Sequence, residues 1–161
     1  MNPTVLALII CGAAAVAEGA LAGGSVRRRL AQLRMPPYSP PFALWLGIGA
    51  VYYAMCFVVL RYLLASRQFT RLPLVALALV VIVLLVNALW NVLFFRWRDL
   101  RASFVAFIPY AIVVAALVAV LFRVYPFGAA LFACYCMYLI YATWWVYNLW
   151  RLNTPTSNST L

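Results

Sequence analysis

An all-α integral membrane protein, a bundle of five transmembrane helices, is the fold that the sequence predicts, on three observations. The chain of 161 residues is 69% hydrophobic and only 9% charged, with a mean hydropathy of +1.04. A soluble domain of this length has too much surface for its volume to hide so much apolar area from water. Five apolar runs, residues 4–24, 42–65, 73–95, 103–122 and 126–150, each reach the ~20 residues that cross ~30 Å of hydrocarbon. None shows the period-2 alternation of a barrel strand. The runs use nearly the whole chain, so residues 1–153 read as one membrane domain and the polar tail 154–161 as disordered. No length remains for a soluble catalytic module.

The first span carries Ala15, Gly19 and Gly23 at four-residue intervals. Such a stripe lets helix backbones approach closely in lipid, inside the bundle or across a dimer face. Glu18 lies beside it, near mid-membrane. A charged acid there costs about 3 kcal/mol, so Glu18 should be protonated, paired with an arginine or facing water. A functional acid and a quiet one both fit. The link to the second span contains "MPPYSPPF", residues 35–42, with four prolines. Proline fixes φ and denies helix to the residue before it, which predicts a semi-rigid extended strap. Such a strap can close a cavity or merely connect two helices. Pro73 and Pro126 suit the first turns of the third and fifth helices. Pro109 falls inside the fourth helix and should bend it.

Two faces carry the chemistry. Asn87, Trp90, Asn91 and Phe94 recur at i, i+3, i+4, i+7 along the third helix. An amide in hydrocarbon needs a partner, so this face should look inward. Tyr135, Tyr138, Ala142 and Trp145 share a face of the fifth helix, with Tyr141 and Asn148 adjoining. Aromatics and amides meeting in one interior describe a pocket for a flat, mostly apolar ligand. Trp97, Tyr125 and Trp150, near span ends, read as an interface belt.

The charge of +10 comes from twelve arginines against Glu18 and Asp99. In a soluble protein it would suggest nucleic acid; at span ends it sets topology, and no nucleic-acid partner is read. Arg27, Arg28, Arg29, Arg34, Arg96, Arg98, Arg101 and Arg151 fall on one side, and Arg61, Arg67, Arg71 and Arg123 on the other. The N-terminus is then outside and the C-terminus cytoplasmic, in a multi-pass protein of, by expectation, a bacterial inner membrane. Cys11, Cys56, Cys134 and Cys136 lie inside spans without metal-ligand spacing and read as small packing residues. No basic residue precedes Arg27, so the charged n-region of a signal peptide is missing.

These residues resemble the TspO/MBR family, the translocator or tryptophan-rich sensory proteins, over about Leu33–Asn153. Leu33, Pro36, Pro40 and Pro41 fit its L-x-K-P-x-x-x-P-P strap, with Met35 where Lys is usual. Tyr53 fits the Tyr of the second helix. "NALWNVLFF", residues 87–95, fits N-x-x-W-x-x-x-F-F. Pro126 and Tyr135 fit the start of the fifth helix and its P-Y pair, Cys134 replacing the Pro. "YATWWVYNLWRLN", residues 141–153, fits the family ending through Ala142, Thr143, Trp150, Arg151 and Asn153. The resemblance implies a five-helix homodimer with a pocket under the first loop, taking a porphyrin, a haem-type tetrapyrrole or another amphipathic planar small molecule, with no required cofactor.

On that reading Pro40, Pro41, Trp45, Tyr53, Asn87, Trp90, Asn91, Phe94, Tyr135, Tyr138, Ala142 and Trp145 are the candidate ligand contacts. Arg27, Arg28, Arg29 and Arg34 are candidates for ligand carboxylates at the cytoplasmic mouth. Several family tryptophans are replaced: Arg29, Ala43, Gly49 and Tyr138 stand where Trp is common, and Ala106 and Val146 replace a frequent Asp and Asn. Gly49 and Tyr138 fall at positions associated with Trp-dependent porphyrin degradation, which weighs against a catalytic reading. So does the lack of His and of any acid pair or metal-ligand cluster. The sterol-type pattern around Tyr147 and Arg151 is incomplete, and no sterol is read. A small assembly subunit without a ligand is the alternative to a binding, sensing or transport protein, and a porphyrin-degrading enzyme is the third reading.

Overall fold

The structure, a computed structural model, describes residues 2–24, 26–66 and 70–154. Arg67 and the tail 155–161 lie outside the described residues. Within them every regular element is helical, and five helical stretches are long and apolar enough to span a membrane.

The ends of the apolar runs supply their own caps. Helix α1 (Pro3–Ala22) opens on Pro3, and the Asn2 side chain accepts from the Thr4 amide at 2.9 Å. It closes at Gly23, whose φ of +76° is the left-handed region that glycine enters without strain. The arginine stretch after it is not simple link: Val26–Ala31 forms a short helix, α2. Helix α3 (Phe42–Ala65) begins directly after Pro41. Helix α4 (Arg71–Asn91) runs into a π-helical turn, Val92–Arg96. The fourth span is broken, as Pro109 predicts, into α5 (Leu100–Val105) and α6 (Phe107–Val124). Proline lacks an N–H for the Val105 carbonyl, and its ring crowds that carbonyl. Asp99 caps α5 by accepting from the Ala102 amide at 2.8 Å. Helix α7 (Pro126–Asn153) is the longest, with Pro126 in its first turn.

Packing of α1 on α3, α3 on α7, α7 on α6, α6 on α4 and α4 on α1 closes a ring. The half away from the strap is solid: Val59, Val80, Val114, Leu117, Leu121 and Phe132 are fully buried. Outside, Leu8, Val16, Leu85, Ile112, Phe122 and Ile140 are exposed. An apolar surface of this extent suits hydrocarbon, not water. Ala15 and Gly19 also face out, so the small-residue stripe is not spent on packing within the chain. Cys11 and Cys56 are buried as expected of packing residues, but Cys134 is exposed, because it lies on the outer flank of α7 beside Met137. Of the belt residues, Trp97 is exposed, whereas Tyr125 stacks on Tyr62 at 3.8 Å and Trp150 on Phe104 at 5.8 Å.

Helices α3 and α7 touch at a glycine. A Cβ on Gly128 would stand 2.5 Å from the Tyr125 ring and 3.0 Å from Val59. The Tyr125 ring is itself held in its stack on Tyr62, so it has little room to yield. Gly128→Ala should therefore lower stability by about 1–3 kcal/mol, read as thermal unfolding in detergent. Gly12→Ala, where a Cβ meets nothing within 4 Å, should be neutral or stabilising by the helix propensity of alanine.

Candidate functional site: an aromatic cavity under the strap

The strap-side half of the bundle encloses a cavity of about 230 Å³. Helical periodicity brings its walls together. On α4 and the following turn, Asn87, Trp90, Asn91, Phe94 and Phe95 line it. Both phenylalanines reach it because a π turn holds more residues than an α turn and spreads neighbours over one face. On α7 the lining residues are Tyr135, Tyr138, Ala142 and Trp145, and α3 adds Trp45, Gly49 and Tyr52. Phe107 and Tyr110 of α6 and Val26 and Leu30 of α2 complete the wall.

The rings form a continuous surface. Trp45 meets Trp145 at 4.9 Å, Trp145 meets Phe94 at 6.2 Å, and Phe94 stacks on Trp90 at 4.9 Å and 19°. Phe107 stands edge-on to Trp90 at 5.6 Å. Tyr135 packs on Tyr52 at 5.4 Å and on Tyr138 at 5.6 Å. Such offset and edge-to-face contacts hold flat faces firmly in place. Ring polar atoms find partners: the Trp90 indole donates to the Ser103 carbonyl at 3.1 Å, the Tyr52 hydroxyl to the Val83 carbonyl at 3.4 Å, and the Tyr110 and Tyr135 hydroxyls pair at 2.9 Å.

Glu18 lines the same cavity. It sits about one turn from the end of α1, nearer the strap than mid-span. Of the alternatives open to it, pairing with an arginine is not what the structure shows: its partners are neutral donors. The Tyr53 hydroxyl and the Asn87 amide donate to Oε2 at 2.5 and 2.7 Å, and the Asn91 amide donates to Oε1 at 2.9 Å. One carboxyl thus joins α1, α3 and α4. Asn91 also donates to the Asn87 carbonyl at 3.1 Å.

Residues 35–41 of the strap are not among the cavity walls, but the strap is tied to α7 through the wall residue Trp145. The Trp145 indole donates to Ser39 Oγ at 2.8 Å, and that hydroxyl donates to the Pro36 carbonyl at 2.7 Å. The Tyr141 hydroxyl donates to the Tyr38 carbonyl at 2.9 Å. Tyr38 has φ of +61°, a left-handed conformation that costs a bulky residue roughly 1–2 kcal/mol. At the base of the strap, the Arg34 amide donates to Asn153 Oδ1 at 2.9 Å and Asn153 Nδ2 donates to the Arg34 carbonyl at 3.0 Å. The strap and the end of α7 therefore lie at the same end of the bundle.

Of the residues singled out from sequence, Trp45, Asn87, Trp90, Asn91, Phe94, Tyr135, Tyr138, Ala142 and Trp145 meet at this cavity. Tyr53 does not line it but holds Glu18. Pro41 precedes the first turn of α3, and Pro40 lines a second, smaller hollow with Leu33 and Met35. The arginines are not brought into the main cavity. α2 turns Val26 and Leu30 toward it, which sends Arg27 and Arg28 outward. Arg29 reaches toward the Arg98 carbonyl at 3.5 Å, and burial, followed by the Arg98 charge, pulls its guanidinium below its ordinary pKa. Sequence reasoning weighed Glu18 but did not place it in the site; an acid one helical face from a glycine stripe carries no signal of which helices it will meet. Tyr52, Phe107 and Tyr110 were also missed, since they lie in runs too uniformly apolar for periodicity to mark one face.

Removing both upper ties, with Ser39→Ala and Tyr141→Phe, should free the strap. At about 1 kcal/mol for each hydrogen bond, the Arg34 amide, which donates to Asn153 of α7 at the base of the strap, should exchange faster on the order of tenfold or more. Hydrogen–deuterium exchange checks this, and amides of α7 near Leu139 should be unchanged.

Comparison with curated proteins gives no match. The family model for the TspO/MBR family matches residues 6–151, a stretch that takes in all five spans, the strap and every wall of the cavity. With five spanning helices and a fit over nearly the whole length, the chain belongs to the TspO/MBR family.

Proposed function

We propose that this protein binds a planar, mostly apolar, amphipathic small molecule in the cavity under the strap, and senses or carries it. Tetrapyrroles are the class that the family resemblance implies. One observation carries the reading: the aromatic faces of α4 and α7, derived separately from helical spacing, converge on a single cavity, one wall of which, Trp145, is hydrogen-bonded to the strap. The cavity, at about 230 Å³, falls below the range of about 300–1,000 Å³ usual for drug-sized ligands. A macrocycle would therefore require the walls to part, and Trp145, whose indole is tied to the strap, is the wall whose movement the strap restrains.

The protein is read as a binding protein and not an enzyme. Glu18, the acid that lines the cavity, is already held by three donors, and Gly49 and Tyr138 offer no indole where the family commonly has one. The arginines at the strap end support a cytoplasmic strap and C-terminus, with the N-terminus outside, in a bacterial inner membrane. The outward stripe of Ala15 and Gly19 supports a homodimer in which two α1 helices approach closely.

Titration of the detergent-purified protein with protoporphyrin IX, and with the smaller neutral ring acridine, followed by quenching of tryptophan emission, tests the reading. Trp90→Ala with Tyr138→Ala should weaken both ligands on the order of tenfold or more, the loss expected for removed stacking surface. Unchanged affinities in a variant that keeps its helical circular dichroism would sink the proposal.

A further inference from the structure

We infer that the cavity holds a cation subsite at Glu18: a flat aromatic ligand bearing a protonated amine or quaternary nitrogen binds there in preference to its neutral counterpart, with the positive charge against Glu18. This rests on the proposal that the cavity takes a planar ligand, and adds a charge preference at one position within it.

The polar groups around the cavity are unevenly spent. Asn87 and Asn91 donate to Glu18. The Trp90 and Trp145 indoles donate to Ser103 and Ser39. Tyr52 donates to a backbone carbonyl, and Tyr110 and Tyr135 satisfy one another. An anionic group entering here meets donors that already have partners. Glu18 is different. A carboxylate has about four acceptor positions, and three donors reach it, so acceptor capacity is left over on a group that lines the cavity.

Its three partners are neutral, and no cation is paired with it among the described residues. A ligand that brings positive charge against a carboxyl group supplies the counterion that neutral donors do not. Trp90, a cavity wall that keeps accessible surface, adds a second attraction for a cation through its negative ring face. The remainder of the molecule works the other way. A chain of net charge +10 repels cations at long range, so any preference for a cationic ligand must originate locally. The cationic arginines do not dilute the effect, because Arg27 and Arg28 point outward and Arg29 folds toward Arg98.

The test compares two rings of nearly equal shape in uncharged maltoside micelles at neutral pH: 9-aminoacridine, which is protonated, and acridine, which is neutral. The wild type should bind 9-aminoacridine tighter by about tenfold or more. Glu18→Gln should erase the difference, read as the ratio of the two affinities within the variant, so that any general loss of binding cancels. Equal affinity of the wild type for both rings would overturn the cation assignment and leave the planar-ligand reading standing, as would a preference that survives Glu18→Gln. Failure of both rings to bind would overturn the planar-ligand reading and this inference together. The wild-type comparison decides the matter without depending on whether Glu18→Gln folds.

Discussion

Hydrocarbon supplies no hydrogen-bond partners, so each polar side chain within a span must find one inside the protein. That constraint sets how the helices are turned. Glu18 of α1, Tyr53 of α3 and Asn87 and Asn91 of α4 satisfy each other in one cluster. Once Asn87 and Asn91 face inward, the 3.6-residue period carries Trp90 and Phe94 inward with them. The aromatic wall is a consequence of where the amides must go, and the ring of helices closes around it.

The same requirement acts on α7. Its Tyr141, Trp145 and Asn153 each carry a polar tip, and all three reach strap atoms. The strap is thus stiff along its length, since proline limits its free conformations, but is tied by bonds that each contribute only about 1 kcal/mol net. A flexible loop would close at random, and a buried one would not open. The left-handed Tyr38 persists because its carbonyl is engaged by Tyr141.

The two ends of the bundle are packed differently. Aliphatic residues such as Val59, Val80, Leu117 and Leu121 interdigitate to full burial at the far end, where close packing makes the scaffold rigid. At the strap end, large flat rings face Gly49 and Ala142, and rings opposite small residues leave a gap that aliphatic side chains would fill. Under the proposed function, the rigid base holds the aromatic face of α7 in register while the strap moves.

Five spans, the proline strap, the break near Pro109 and the inward faces of α4 and α7 were legible in the sequence alone. Span length, proline chemistry and helical period are local, and each can be read from a window of one or two turns. The cavity residues that spacing marked, from Asn87 to Phe94 and from Tyr135 to Trp145, belong to that class. Only the tertiary structure decided that Glu18 lies in the site with amides and a phenol in place of an arginine, that α2 turns its arginines away, and that Tyr52, Phe107 and Tyr110 join the wall. Those outcomes depend on which helix neighbours which and on how each is rotated about its axis. Pairings across 35 to 73 positions of chain, such as Glu18 with Tyr53 and with Asn91, leave no local trace for a sequence to display.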